Sequence, residues 1–375
     1  MKIAFNMVSD SHGGGFETYN NNILDQLFKD KLSNEYYIFT NNKFLKSYNK
    51  NIHFVYISNL FSKTIMRLLW MQFIFPFYLI FNRFDIIFSP MNIMPIILKL
   101  SKLKFILVIH SNLPWLFPDD VPGNRLKLFL QSFFTNISIK ISDKIIVDSL
   151  TAKTELCCIF KNINNKTTSV YLGIDHNSFI SDIEIDIIDN RINIINDSYF
   201  LTIASAVRYH CLIELIDAYE LLCTSKKDIP KLLIISKNLD LNYFNEIFKK
   251  IELSKYSDKI IFLENIDSKK IPTLYKNASL YIFSSYCEVF GFTNLEAMVS
   301  GIPVITSNKS AIPEICGDAA IYFDPLDPID IKNKIMNVYC NEALKKEIIR
   351  TGYNQVKKYS WEKTFLETNT IIKNI

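Results

Sequence analysis

Short apolar blocks of strand length alternate with longer segments of helical period along most of this chain. Lys2–Val8 is the first block, followed by a polar, glycine-rich stretch and a helix whose apolar face is Tyr19, Ile23, Leu24 and Leu27. Tyr36–Thr40 and His53–Tyr56 predict two more strands. Phe61–Asn82 has helical character with a bend at Pro76, and Asp85–Phe88 is again a strand. Phe105–His110 is apolar up to its last residue, the histidine. A helix over Arg125–Ile139, a strand Asp143–Val147, a helix from Thr151 capped by Ser149 and a strand Thr167–Tyr171 complete the first half. Gly173-Ile-Asp175 closes it.

The pattern then repeats. Strands are predicted at Tyr199–Ala204, Leu232–Ile235, Ile260–Leu263, Leu280–Phe283 and Pro303–Thr306, with a strand and turn over Ile321–Pro325 and a helix over Leu212–Cys223. A last helix opens at Ser360-Trp-Glu-Lys363. Strands that alternate with helices and are apolar throughout imply an α/β protein with doubly wound, Rossmann-like parallel sheets. The expected division is a first domain over 1–180, a linker over 181–198, a second domain over 199–360, and a closing helix over 361–375.

A length of 375 residues suits two domains, each large enough for its own core. Apolar residues make up 49% and charged ones 21%, which excludes a disordered chain. The seven cysteines are odd in number and form no C-x-x-C pair, so a reduced compartment without structural zinc is expected. The start lacks a basic head and a cleavage site, so no signal peptide is expected. The longest apolar run, Leu68–Phe81, is shorter than the roughly 20 residues of a spanning helix, and Pro76 interrupts it.

Net charge is only +4, but from Tyr36 to Pro118 the only acid is Asp85, against nine Lys/Arg. A basic, aromatic half of this kind favours a peripheral contact with an anionic membrane surface. No nucleic-acid partner is expected.

The candidate chemistry centres on Ser284–Met298, where a strand runs through a turn at Gly291 into a helix. Free backbone N–H groups and the helix dipole make such a terminus a site for a diphosphate. Glu288 precedes the glycine and Glu296 lies one turn into the helix, so two carboxylates able to accept sugar hydroxyls bracket an anion site. Together they suggest a nucleotide sugar. Ser9–Gly15 forms a second glycine loop after a strand, but it is not G-x-G-x-x-G, and a dinucleotide fingerprint is weak. His110 ends a strand where ligands of open parallel sheets bind, with Asn112 nearby as a possible acceptor contact.

Glu288 to Glu296 with Phe290-Gly291 between them, then Glu296-Ala-Met298, Gly301-Ile-Pro-Val304 and Ser310-Ala-Ile-Pro-Glu314, closely resembles glycosyltransferase family 4. That resemblance implies the GT-B architecture, two such domains facing a cleft with the closing helix crossing back to the first, and transfer with retention from an NDP-sugar without a metal or other cofactor. It implies that Glu288 holds the sugar hydroxyls, Glu296 the ribose, and His110 the sugar. Gly14 and Gly15 would approach the donor diphosphate. Gly291, Phe292, Thr293 and Asn294 would line it, and Asn265 and Ile266 would lie beside the nucleotide base, although Glu264 replaces the usual glycine. The family's Arg-x4-Lys pair falls here on Ser205 and His210, a departure. Either Arg208 in the same loop supplies the missing charge, or turnover is slow or absent.

The acceptor implied is a glycan, free or linked to a lipid diphosphate, as in bacterial surface-polysaccharide assembly. The expected location is cytoplasmic, peripheral on the membrane. Nucleotide-sugar epimerases and polysaccharide phosphorylases share the fold, but the Glu288–Glu296 pattern argues against both. A degenerate transferase, kept as a nucleotide-sugar-binding subunit, is the non-enzymatic alternative, and the Ser205/His210 departure is its support.

Overall fold

The computed structural model describes residues 1–8, 15–29, 34–46, 49–180 and 197–375. The chain forms two units. The first gathers Met1–Leu116, Gly123–Gly173 and Trp361–Ile375; the second gathers Phe117–Pro122 and Ile174–Ser360.

Seven parallel strands form the sheet of the first unit. They are β1 (Lys2–Asn6), β2 (Glu35–Thr40), β3 (Ile52–Tyr56), β4 (Ile86–Ser89), β5 (Lys104–Ile109), β6 (Lys144–Val147) and β7 (Thr167–Ser169), in the order β3-β2-β1-β4-β5-β6-β7. The register sets Ile3 beside both Tyr36 and Ile86. Strand order reverses between β1 and β4, so the carboxyl ends of these strands open a crevice where ligands of such sheets bind. The core is aromatic: Phe5 stacks on Phe88 at 4.3 Å and Phe39 meets Phe75 edge-on at 4.7 Å. Each buried ring contributes roughly 1.5–3 kcal/mol by leaving water.

Crossovers between parallel strands are right-handed, so connections that step in opposite directions lie on opposite faces of the sheet. The helix Gly15–Lys29 joins β1 to β2 on one face. The helical segment before β4 and the helix Arg125–Ile141, between β5 and β6, step the other way and cover the other face. The closing helix Trp361–Lys373 packs on Gly15–Lys29, so the end of the chain returns to the first unit. Thr364 Oγ1 donates to the Tyr171 carbonyl at 2.8 Å and fixes its start.

The segment expected to bend at Pro76 is interrupted earlier. An α-helix over Thr64–Leu69 passes into a π turn over Trp70–Ile74, then into a second α-helix over Phe75–Phe81. Proline has no N–H to donate four residues back, to Gln72, and the wider turn accommodates the lost bond. Among the described residues no helix is long and apolar enough to cross a membrane.

The second unit holds six parallel strands: β8 (Tyr199–Ile203), β9 (Lys231–Ser236), β10 (Ile260–Glu264), β11 (Leu280–Phe283), β12 (Val304–Ser307) and β13 (Ile321–Phe323). Their order is β10-β9-β8-β11-β12-β13, with the reversal between β8 and β11. Residues 205–211 and 284–291 are far apart in sequence but follow these two neighbouring strands, so the topology brings them together. Gly301 has φ +75°, and a Cβ there would come within 2.1 Å of the Tyr353 hydroxyl, which explains the glycine of Gly301-Ile-Pro303.

Candidate functional site

In the second unit β11 runs into a loop that ends at Gly291, and the helix Phe292–Val299 starts there. Gly291 has φ +81°, and a Cβ at this position would lie 3.2 Å from Asn294 Nδ2. Glycine is therefore needed for the turn and for the room beside the first helical turn. Asn294 is fully buried, and neither its Oδ1 nor its Nδ2 has a hydrogen-bond partner. An orphaned buried amide costs about 1–3 kcal/mol, so Asn294 stands out in the first turn of this helix.

Two carboxylates flank this turn in different settings. Glu296 is half-buried, and its Oε2 accepts from Tyr275 Oη at 2.9 Å. Loss of solvent is the main influence on it and pushes its pKa up to about 7, while the tyrosine hydrogen bond works the other way. Glu288 Oε1 lies 3.2 Å from His210 Nε2, and His210 Nδ1 lies 2.7 Å from the Ser205 carbonyl. A carbonyl only accepts, so Nδ1 carries a proton. The contact with Glu288 then requires one further proton, on Nε2 or on the carboxyl group.

The loops are laced together around this pair. Ser284 Oγ donates to the His210 carbonyl at 2.7 Å, and Tyr286 N to that of Tyr209 at 2.9 Å. The Glu288 carbonyl accepts from Ser310 Oγ at 2.7 Å and Ala311 N at 3.1 Å. The Ser310-Ala-Ile-Pro-Glu314 motif thus acts by holding Glu288 in place. Tyr286 Oη donates to Asp120 at 2.6 Å, tying the segment Phe117–Pro122 to the same loop. Neither Tyr275 nor this Asp120 contact was signalled by a motif.

Arg208 lies in the loop of His210, but its guanidinium donates to Glu246 at 2.6 Å and sits over the Tyr243 ring. The structure does not join it to the His210–Glu288 pair. Asn265 follows β10 with φ +52° and is exposed, and Ile266 is half-buried beside it. Phe292 and Thr293 are half-buried at the start of the helix, and the Thr293 carbonyl accepts from Tyr275 Oη at 3.3 Å.

In the first unit His110 follows β5 directly, and Asp148 follows β6, its neighbour in the sheet. His110 Nδ1 faces both oxygens of the buried Asp148 carboxylate, at 3.1 and 2.9 Å. This fixes the proton on Nδ1 and the plane of the ring. Nε2 is buried without a partner. Tyr19 packs edge-on against the ring at 4.6 Å and Phe16 at 6.1 Å. Sequence reasoning missed Asp148; its signal was an acid at the carboxyl end of the strand adjoining that of His110.

Asn112 is fully buried, and its Nδ2 donates to the Ala152 carbonyl and to Glu155 Oε2, both at 2.9 Å. The amide thereby staples the loop after β5 to the helix Leu150–Ile159, and only Oδ1 is left unpartnered. Gly15 opens the first helix and is exposed, whereas Gly14 lies outside the described residues.

Residues 185–355 match the family model of the glycosyl transferases group 1. The O-antigen chain mannosyltransferase B of Escherichia coli is 33% identical over 109 residues, 29% of this chain and 29% of that protein. The O-antigen chain mannosyltransferase RfbU of Salmonella typhimurium is 23% identical over 263 residues, 68% of this chain and 65% of the relative. The chain thus spans less than two thirds of the length of these relatives. Among solved structures, sucrose-phosphate synthase from Thermosynechococcus elongatus superposes with a TM-score of 0.76 at 16% identity, covering 100% of this chain and 98% of the other. Anabaena HepE in complex with UDP-glucose gives 0.74 at 15% identity, with 100% of both chains covered. At such identities these two report the fold. Residues 185–355 of this chain are thus similar to the group 1 glycosyl transferases, and its two parallel sheets follow the GT-B fold of these solved structures.

Proposed function

We propose that this chain is a retaining glycosyltransferase that moves a hexosyl group from an NDP-sugar to a glycan acceptor. The observation that carries the reading is the Gly291 turn, with the orphaned Asn294 amide in the first helical turn and Glu288 and Glu296 on either side. Main-chain N–H groups at this terminus meet the diphosphate, Glu296 accepts the ribose hydroxyls, and Glu288 accepts those of the sugar. No metal is needed on this reading. His210 takes the place of the family's second cation, and the proton it shares with Glu288 offsets charge on the leaving phosphate. In the first unit, His110 keeps its unpartnered Nε2 as an acceptor for a ligand hydroxyl.

The bond between the anomeric carbon and the diphosphate oxygen breaks as the acceptor oxygen attacks the same face. The acceptor proton passes to the departing phosphate. The relatives named for mannose transfer in O-antigen chains make a nucleoside-diphosphate mannose the first donor to try. Their O-antigen names also support a polysaccharide acceptor, and the basic, aromatic first half of this chain supports one carried on a lipid diphosphate at the cytoplasmic face of an anionic membrane. Calorimetry with a panel of nucleoside diphosphates, then mass spectrometry of products from NDP-sugars and a lipid-linked acceptor pool, tests this. A chain that binds no nucleotide ends the reading.

A second reading is a nucleotide-sugar-binding subunit without turnover. Ser205 stands where the family carries arginine, and Arg208 is engaged by Glu246, which favours it. Nucleotide binding with the donor left intact, across all acceptors, would establish it.

A further inference from the structure

The helical segment before β4 is apolar on the side that faces solvent. From Phe73 to Phe81 every exposed position is apolar or aromatic: Phe73, Ile74, Phe77, Tyr78, Ile80 and Phe81. Phe73 is 62% exposed, Phe77 54% and Phe81 80%. The inward positions Trp70, Met71, Phe75 and Leu79 are buried, so the helix is apolar all round yet half in water. A helix of that kind is normally buried or in contact with lipid. Its exposed apolar residues recur every fourth position at 65, 69, 73, 77 and 81. In a regular α-helix this spacing drifts by about 40° per step. The π turn over Trp70–Ile74 holds more residues per turn and takes back part of that drift, which draws the row toward one face.

A second helix on the same face of the sheet repeats the composition. Along Arg125–Ile141, Leu126 and Phe129 are 67% and 65% exposed, and Phe133 follows one turn later. The two are physically linked: Gln72 Nε2 donates to the Met94 carbonyl at 2.9 Å, and Met94 N donates to Ser138 Oγ at 2.8 Å. The surrounding charge is mainly basic: Lys63, Arg83, Lys102, Lys104, Arg125 and Lys127 are exposed, while Asp85 accepts from the Lys2 backbone N–H at 2.7 Å and Asp143 accepts from Phe105 N at 2.8 Å with Lys99 3.8 Å away.

We infer that this face of the first unit is the surface by which the chain lies on an anionic lipid bilayer, with its phenylalanines in the headgroup region and its Lys/Arg on lipid phosphates. A second copy of the chain is the poorer fit. A two-fold contact through this face would set six exposed Lys/Arg against their copies, with Asp85 and Asp143 already engaged by the Lys2 and Phe105 backbone N–H groups. The inference extends the membrane reading above by assigning the surface, and its test uses neither donor nor acceptor, so its failure leaves the transferase reading standing.

The test is co-sedimentation of the full chain with vesicles of phosphatidylcholine alone and with one quarter phosphatidylglycerol. The chain should pellet with the anionic vesicles and be released by high salt. Phe73→Ser with Phe77→Ser should weaken binding at least about tenfold, since each ring loses its apolar burial. Lys102→Glu should cost fivefold or more, as about 1 kcal/mol per basic residue predicts. All three positions are exposed, so thermal midpoints and nucleotide affinity should hold and report that the variants are folded. Wild-type chain left in the supernatant, or the double serine variant pelleting like wild type, overturns the inference. So does a dimer in sedimentation velocity that Phe77→Ser dissolves, which would make a second copy the occupant.

Discussion

His210 Nε2 lies 3.2 Å from Glu288 Oε1, while its Nδ1 is bound to the Ser205 carbonyl. The histidine is thus clamped from both sides, and its contact with Glu288 carries one proton beyond that on Nδ1. Glu288→Gln keeps the shape and removes the charge. It should lower transfer by about 10²–10³ in kcat, the range seen when one transition-state contact is lost, and spare nucleotide affinity. Steady-state rates with calorimetric affinities check this, and wild-type turnover in the variant removes the assignment.

Glu296 sets a pH dependence whose sign follows from its burial. Its carboxyl group is raised from an ordinary value near 4.5 to about 7 in the folded chain. Between those values the folded state keeps a proton that the unfolded state has lost, so stability falls as pH rises through this window. The full shift corresponds to at most roughly 3–4 kcal/mol, less for a carboxyl group that is only half-buried. Urea midpoints should be lower at pH 8 than at pH 5, and Glu296→Gln should flatten that difference. The same variant should lose nucleotide affinity by about tenfold or more, since a charge-assisted hydrogen bond is replaced by a neutral one. An unchanged slope in the variant would place the titration elsewhere.

Asn294 and Gly291 separate stability from binding. Asn294→Ala removes a buried amide that has no partner, so thermal stability should hold or rise while nucleoside-diphosphate affinity drops. Gly291→Ala should lower both, by about 1–2 kcal/mol in stability, because the left-handed backbone strains any Cβ and this one would press on Asn294. Melting curves with and without nucleotide distinguish the two patterns. A strongly destabilised Asn294→Ala would mean that the amide serves the fold.

His110 and Asp148 should behave as one element. Asp148→Asn leaves the shape but no longer demands a proton on Nδ1, and should reduce transfer by about 10–100-fold through the histidine. His110→Ala alone and His110→Ala with Asp148→Asn should then be equally impaired, a non-additive cycle. Additive losses would show that Asp148 acts on its own. A shifted pH–rate profile in Asp148→Asn, absent from a merely structural defect, supplies the second readout.

Much of this was legible before any coordinates. Continuous apolar blocks such as Phe105–Ile109 and Leu280–Phe283 are strands buried on both faces, and local pattern suffices to identify them. The Gly291 turn was equally visible, because a strand, a glycine and a helix are neighbours in sequence. Asp148 was not, since its significance depends on β5 and β6 lying side by side. Nor was the fate of Arg208, which sequence proximity sets beside His210 but Glu246, 38 positions away, draws aside.

What the sequence by itself determined is therefore whatever short-range periodicity and turn chemistry control: two runs of strand and helix, a glycine turn fit for an anion, and a basic, acid-poor first half. Strand order decided the rest. Only the adjacency of β8 and β11 sets His210 against Glu288, and only the adjacency of β5 and β6 gives His110 its carboxylate. Those pairings come from packing two distant parts of the chain into one sheet, and nothing within a few residues of either partner encodes the distance between them.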